Sequence, residues 1–340
     1  MRVDLKRRLI EVGRRFSQFE SSHEGESWAD KIISWCKGHD CLILPFEQCP
    51  NIYLKEIGSV PDLLFLKGEV DTLGEPCLAL VGTRRPSNYG KRAAIHFSRA
   101  LSARGFCIVS GLARGIDSLA HQGVIDVGGH TVAVLGHGLD RIYPGENLAL
   151  AHEIVRKGGC LVSEYPPGVP PLKNHFPARN RIISGLSLGT VIVEAAARSG
   201  SLITARCALE QNREIFAVPA HYDDLGFYGC HRLLQEGAKL ITSVEEILEE
   251  LPPQASFPIF EQSTKETAAE EAGLKEILGV FAAQEGVISL DELYSKYPSN
   301  FSDLLDCLEV GIQKGLIYEI SPQHFAWIGK TGDRTVVSQA

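Results

Sequence analysis

The chain has 340 residues, 44% hydrophobic and 22% charged, which suits two or three packed domains and excludes a disordered polyelectrolyte. It carries 34 Lys and Arg against 42 Asp and Glu, a formal net charge of −8 that, taken whole, argues against a nucleic-acid partner. No apolar run approaches a membrane span and the basic start MRVDLKRR lacks the apolar stretch of a signal peptide, so a cytoplasmic protein without membrane contact is expected.

Residues 1–40 read as a helical N-terminal region, with apolar positions at Leu5, Leu9, Val12 and Phe16, then Trp28, Ile32 and Ile33. The polar segment Phe19–Ser27 between them reads as a loop. Nine cysteines are scattered without a CxxC pair. Cys36, His39, Cys41 and Cys49 lie close together but lack the paired short spacings of a metal site, so reduced structural thiols and no bound metal are expected. Residues 41–75 are mixed, with short apolar runs at Leu42–Leu44 and Leu63–Leu66.

From Leu78 onward, short apolar runs and helical patterns alternate. Strands are predicted at Leu78–Val81, Phe106–Ser110, Thr131–Leu135, Cys160–Ser163, Thr190–Val193, Glu214–Val218 and Lys239–Ile241. Helical patterns fall at Tyr89–Ala103, Ser118–Val127, Asn147–Lys157, Asn180–Leu186, Leu202–Asn212 and Phe227–Gln235. Continuous apolar strands separated by helices predict an α/β fold, a parallel sheet covered on both faces, with right-handed crossovers. Residues 252–273 are an acidic, Pro-containing linker. Residues 274–329 predict helices at Leu274–Gln284, Leu290–Lys296 and Asp303–Lys314, then two strands around a turn at Ser321–Gln323, a winged-helix-like domain. A disordered tail is expected over 330–340.

Dividing the chain reverses the impression left by its net charge. Residues 77–243 carry 18 Lys and Arg against 12 Asp and Glu, so the remainder carries the acidity, much of it in Glu245, Glu246, Glu249, Glu250, Glu261, Glu266, Glu270, Glu271 and Glu276. Between Pro76 and Ile116 there is no acidic residue, while Arg84, Arg85, Lys91, Arg92, Arg99, Arg104 and Arg114 all fall there.

Four motifs stand at ends of predicted strands, where an open α/β sheet binds ligands. Gly82, Thr83, Arg84 and Arg85 follow the first: glycine admits close approach of an anion, and the hydroxyl and guanidinium groups can hold it. Ser110, Gly111, Arg114, Gly115 and Asp117 follow the second, with the glycines read as structural, Asp117 as a helix cap and Ser110 and Arg114 as phosphate contacts. Lys173, Arg179, Asn180 and Arg181 crowd positive charge where HFPARNR opens a helix, a placement the helix dipole disfavours unless an anion sits there. One of these two arginines is also a candidate partner for a core carboxylate such as Glu194. Ser199, Gly200 and Ser201 form a small, hydroxylated helix start suited to phosphate. Gly136-His137-Gly138-Leu139-Asp140-Arg141 lacks the third glycine of a dinucleotide loop, Gly90-Lys91-Arg92 fails as a Walker A loop, and no catalytic constellation appears. Tyr89, Phe176 and Tyr222 are the aromatic candidates for base stacking.

GTRRPSNYG, SGLARGID, LGHGLDRIYPGEN, SEYPPG, HFPARNRIISGLS, VEAAARSGSLITA and VPA, ordered from about Leu42 to Leu251, resemble the DNA-processing protein A family, also called DprA or Smf. The resemblance implies an extended Rossmann-fold core over 41–251 and a bacterial cytosolic protein that binds single-stranded DNA without catalysis or cofactor. It also implies protection of incoming strands and loading of a RecA-type recombinase during natural transformation, as a homodimer. Residues 1–40 depart from the family's frequent helix-hairpin-helix pattern. The rival is a Rossmann-fold enzyme acting on a nucleotide or nucleotide sugar, which would need a PGGxGT-type loop where this chain has Ala197–Ser201 and a partner for Glu194. A transcription regulator acting through residues 274–328 is disfavoured, because that segment is net acidic and holds no arginine.

Overall fold

The computed structural model describes residues 2–16, 18–252, 277–281, 288–297, 304, 307–308, 317–321 and 324–327. The chain divides into two compact units, Met1–Phe260 and Glu261–Ala340.

The first unit is built on one nine-stranded sheet. In chain order its strands are β1 (Cys41–Pro45), β2 (Leu63–Gly68), β3 (Cys77–Val81), β4 (Cys107–Ser110), β5 (Thr131–Leu135), β6 (Cys160–Ser163), β7 (Gly189–Ile192), β8 (Glu214–Ala217) and β9 (Lys239–Leu240). They lie in the order β1-β2-β6-β5-β4-β3-β7-β8-β9. The seven strands from β6 to β9 in that order pair in parallel, while β2 pairs antiparallel with β6 and β1 antiparallel with β2. The two runs at 42–44 and 63–66 therefore become an antiparallel extension of the predicted parallel sheet.

Side chains alternate across the sheet, and both faces are dry. Cys77, Ala79 and Val81 of β3 join one core with Val109, Val134 and Ile192, while Leu78 and Leu80 join the opposite core with Ile108 and Val191. Helices α1 (Arg2–Arg15) and α2 (Ser22–Gly38) cover another part of the sheet, burying Leu9, Val12, Ala29 and Ile32 against Leu63, Phe65, Ala133 and Leu135. The Phe19–Ser27 loop is shorter than expected. Ser21 forms a capping box with Glu24, its Oγ accepting the Glu24 N–H, so α2 starts at Ser22.

The remaining helices are α3 (Asn88–Ala103), α4 (Ile116–Asp126), α5 (Leu148–Arg156), α6 (His175–Gly185), α7 (Ser201–Glu210), α8 (Tyr228–Gln235) and α9 (Glu245–Leu248). From β3 the chain builds β4, β5 and β6 to one side, then returns to lay β7 on the other side of β3. The β3/β7 boundary is the topological switch point where such sheets take ligands.

In the second unit, Ile288–Ser289, Ile317–Ser321 and His324–Trp327 form a three-stranded antiparallel sheet, with a helix over Leu290–Lys296 and a core including Ile277, Phe281, Leu293 and Ile317. The expected helices at 274–284 and 303–314 lie largely outside the described residues, as do the 252–273 linker beyond Pro252 and the 330–340 tail. Among the described residues no helix is long and apolar enough to cross a membrane.

His121 on α4 is sealed inside the core, its Nδ1 2.7 Å from Thr131 Oγ1. That hydroxyl donates to the Ile108 carbonyl at 2.5 Å, so it accepts from Nδ1–H and leaves Nε2 bare. Burial pushes the imidazole down from 6.5 to about 3, and pushes buried His137 in the same direction. A folded value below the unfolded one contributes stability that is complete above about pH 6.5 and is lost as pH falls toward 3. Urea unfolding followed from neutral pH to about pH 5 should show stability falling, with a His121→Gln variant, though weaker at neutral pH, flattening the slope by about one proton.

Candidate nucleic-acid interface

The loop after β3 is threaded between two neighbours. Thr83 N–H donates to the Glu194 carbonyl beyond β7 at 2.8 Å, and Ile116 N–H at the start of α4 donates to the Thr83 carbonyl at 3.1 Å. Gly82 and Gly115 make the crossing possible. A Cβ on Gly82 would sit 2.6 Å from the Ile116 side chain, and one on Gly115, which holds φ +78°, would sit 2.4 Å from the Thr83 carbonyl.

Beneath this crossing lie two buried, oppositely charged side chains, near each other but each hydrogen-bonded to backbone and not to the other. Arg179 is 4% exposed and Asp117 7%. Arg179 Nη1 donates to the carbonyls of Gly111, at 2.9 Å, and Val134. Asp117 Oδ2 accepts the N–H groups of Gly111 and Ala113 at 3.2 and 3.4 Å. A Gly111 Cβ would lie 2.7 Å from both Arg179 Nη2 and Asp117 Oδ2, so the pair leaves no room for a side chain there. Burial draws the Arg179 guanidinium down to about 10 and pushes the Asp117 carboxyl up, and each charge partly offsets the other's shift.

Above the pair opens a cleft of about 570 Å³ at the switch point. Nine of the thirteen predicted site residues line it: Gly82, Thr83, Arg84, Lys173, Arg179, Asn180, Ser199, Gly200 and Ser201. Arg84 and Lys173 are exposed and have no ion-pair partner among the described residues. Most other core arginines do have one, including Arg99 with Asp126, Arg104 with Glu245 and Arg213 with Glu56. Helix α7 opens into the cleft with no side-chain cap at Gly200, and the Ser199 and Ser201 hydroxyls lie 2.7 Å apart beside it. Free cations, a helix N-terminus and paired hydroxyls are the elements of an anion cradle.

Four predicted residues lie elsewhere. Ser110 is corrected from a phosphate contact to a core residue: it is fully buried and its hydroxyl donates to the Leu80 carbonyl at 2.7 Å. Arg181 pairs with buried Glu164 at 2.8 Å and is not part of the cleft wall. Arg85 is exposed beside the cleft without lining it, and Arg114 pairs with Glu146 at 2.7 Å in an adjoining recess. Glu194 takes no arginine. Its carboxylate accepts from Ser87 N–H and Oγ at 3.0 and 2.9 Å, closing the start of α3.

Two aromatic rings edge the cleft. Phe176 and Tyr143 have centroids 5.7 Å apart, and the Arg84 guanidinium carbon stands 5.7 Å from the Phe176 centroid. Phe176 was a stacking candidate; Tyr143 was not, and its signal was an aromatic inside the glycine-rich loop after β5. Tyr89 is engaged, donating its hydroxyl to the Pro219 carbonyl at 2.9 Å and packing on Phe227. Tyr222 is 87% exposed but outside the cleft wall.

Fold and cleft together define a Rossmann-like α/β protein with a cationic, aromatic-edged cleft at its switch point. The family described as DNA recombination-mediator protein A matches residues 42–252, and the chain belongs to that family. It is 53% identical over 191 residues to Protein Smf of Escherichia coli, covering 56% of this chain and 51% of that one, so it spans about half of that relative's length. It is 46% identical over 217 residues to DNA processing protein DprA of Bacillus subtilis, covering 64% and 72%. Among solved structures, DNA processing protein A of Streptococcus pneumoniae superposes with a TM-score of 0.60 at 37% identity, over 73% of this chain and 93% of that one. The Helicobacter pylori protein, studied for its single-stranded DNA binding mode, superposes with a TM-score of 0.56 at 30% identity, over 62% and 97%.

The loop crossing carries its own test. Gly115→Ala must strain a positive φ and displace the Thr83 carbonyl, and should cost about 1–3 kcal/mol in thermal unfolding. Gly200→Ala, at φ −64° with no atom within 4 Å of the new Cβ, should leave the unfolding midpoint essentially unchanged.

Proposed function

We propose that the chain is a single-stranded DNA-binding recombination mediator that protects incoming strands and loads a RecA-type recombinase during natural transformation. The observation that carries the DNA reading is the pair of free cations, Arg84 and Lys173, facing one cleft with Phe176 and Tyr143. Cations track the phosphate chain and ring faces accept bases without regard to sequence, the combination that suits single strands. Family membership and the binding mode studied in the Helicobacter pylori relative support the same partner. In this reading the protein works in the cytoplasm as a homodimer. The same reading has the segment 274–329 contact protein rather than duplex DNA, in keeping with its acidic balance.

We infer that binding, not catalysis, is the task of the cleft. A nucleotide-cleaving enzyme would need a free carboxylate at the switch point. Glu194 is committed to Ser87 and the start of α3, and Asp117 to two backbone N–H groups.

Fluorescence anisotropy of a labelled single-stranded oligonucleotide at two salt concentrations, with duplex as competitor, tests the reading. Binding should prefer the single strand, with a log–log salt slope near −0.7 per phosphate neutralised. The double variant Arg84→Ala, Lys173→Ala should keep its fold by circular dichroism and lose affinity by at least about tenfold. Normal binding by that variant would remove the site assignment, and absence of binding by the wild type at low salt would remove the function.

A further inference from the structure

Beside the main cleft lies a smaller recess of about 30 Å³, sharing Arg84, Tyr143, Phe176 and Arg179 with it and adding Gly111 and Arg114. Three arginines face this space. The buried one, Arg179, has spent Nη1 on two carbonyls, while its Nε has no hydrogen-bond partner among the described residues. The backbone N–H groups of Gly111 and Ala113 are taken by Asp117, so guanidinium groups dominate the recess. The recess is far smaller than the main cleft and has room for a small group such as a phosphate oxygen.

The loop that carries Arg114 is held in an unfavourable shape. Leu112 sits at φ +53°, a region L-residues enter at a cost. Asn147, itself buried, donates its Nδ2 to the Leu112 carbonyl at 2.9 Å and to the Ala113 carbonyl at 3.4 Å. That tie fixes the Gly145–Asn147 turn against the loop and sets Glu146 opposite Arg114. The Glu146 Oε1 to Arg114 Nε distance is 2.7 Å, and both side chains are more than half exposed. An exposed carboxylate on an arginine at the mouth of an anion site stands where a phosphate oxygen would.

We propose that this recess is a second phosphate subsite, for the phosphate next to the one held at Lys173 and the start of α7, and that Glu146 occupies its arginine until DNA displaces it. The proposal rests on the single-stranded DNA reading of the main cleft. In the bound strand Arg84 lies between the two phosphates, with bases on Phe176 and Tyr143, and Glu146 swings into solvent as Arg114 changes partner. The ion pair is exposed and weak, so the exchange is easy.

The full chain is titrated against a fluorescein-labelled oligodeoxythymidine at several salt concentrations. Arg114→Gln should weaken binding about fivefold and make the log–log salt slope shallower by ~0.7. Glu146→Gln should tighten binding about threefold, and that gain should vanish when Arg114→Gln is also present. Glu153→Gln removes the same charge from a carboxylate that pairs with Arg156 and lines neither cleft, and should change nothing. If Arg114→Gln leaves the slope untouched while the wild type binds, the subsite is refuted and the main cleft stands. If Glu153→Gln tightens binding as much as Glu146→Gln, the displacement by DNA is refuted, because a general field effect accounts for it. If the wild type shows no salt-dependent binding, both readings fall together. Unfolding midpoints of all variants within a degree or so of wild type separate lost contacts from lost fold.

Discussion

The interface depends on one guanidinium placed where arginine is costly. Arg179 sits at the floor of the cleft, where two carbonyls accept from Nη1 and the nearby Asp117 charge partly offsets the cost of burial. Those carbonyls belong to the end of β5 and the loop after β4, while Arg179 itself belongs to α6. These hydrogen bonds tie β5, the β4–α4 loop and α6 into one platform. A buried charged donor that loses its acceptors costs more than an ordinary lost contact, and that makes Arg179 a fixing device. Lys173 and Phe176 project from the start of α6, and Arg84 rests on the Gly115 crossing at the start of α4, so their spacing is inherited from the hydrogen bonds beneath them.

The same logic of local pairing explains how a chain with a net charge of −8 presents a cationic cleft. Arg99, Arg104, Arg114, Arg156, Arg181, Arg213 and Arg232 each have a carboxylate within 4 Å, and after residue 243 there are 17 Asp and Glu against 6 Lys and Arg. What is left unpaired in the cleft wall is Arg84 and Lys173. Exposed pairs elsewhere are screened beyond about 10 Å in ordinary salt, so they neither help nor oppose an anion arriving at the switch point. Partition of charge, and not its total, sets the chemistry of the site.

Much of this was legible in the sequence. Strands β3 to β7 are buried on both faces, which leaves short, mostly apolar runs, and the predicted spans of β3 to β8 fall within about two residues of those found. Strands β1 and β2 were visible only as apolar runs, because a short run carries no mark of direction or of belonging to a sheet. The site failed to resolve where burial decides. Ser110 and Ser199 are alike as small hydroxylated residues after a strand, yet one ends inside the sheet layer bonded to Leu80 and the other stands outside it. Arg179 and Arg181 are two positions apart on one helix and so face different ways: one goes under the floor, the other to Glu164. Tyr143 was missed because its neighbours are fixed by the path of a loop, which periodicity does not describe.

The shape of the cleft is fixed by backbone contacts. Its three walls, after β3, β4 and β7, are joined by backbone hydrogen bonds at Thr83, Glu194 and Ile116, and the glycines that permit those bonds leave no space for the loops to slide. Its carboxylates are consumed in holding that shape: Glu194 at the start of α3, Asp117 under Gly111. The cleft wall is left with cations, hydroxyls and ring faces. Entropy lost in fixing these loops is lost during folding, so a groove built this way need not lose it again on gripping a flexible ligand.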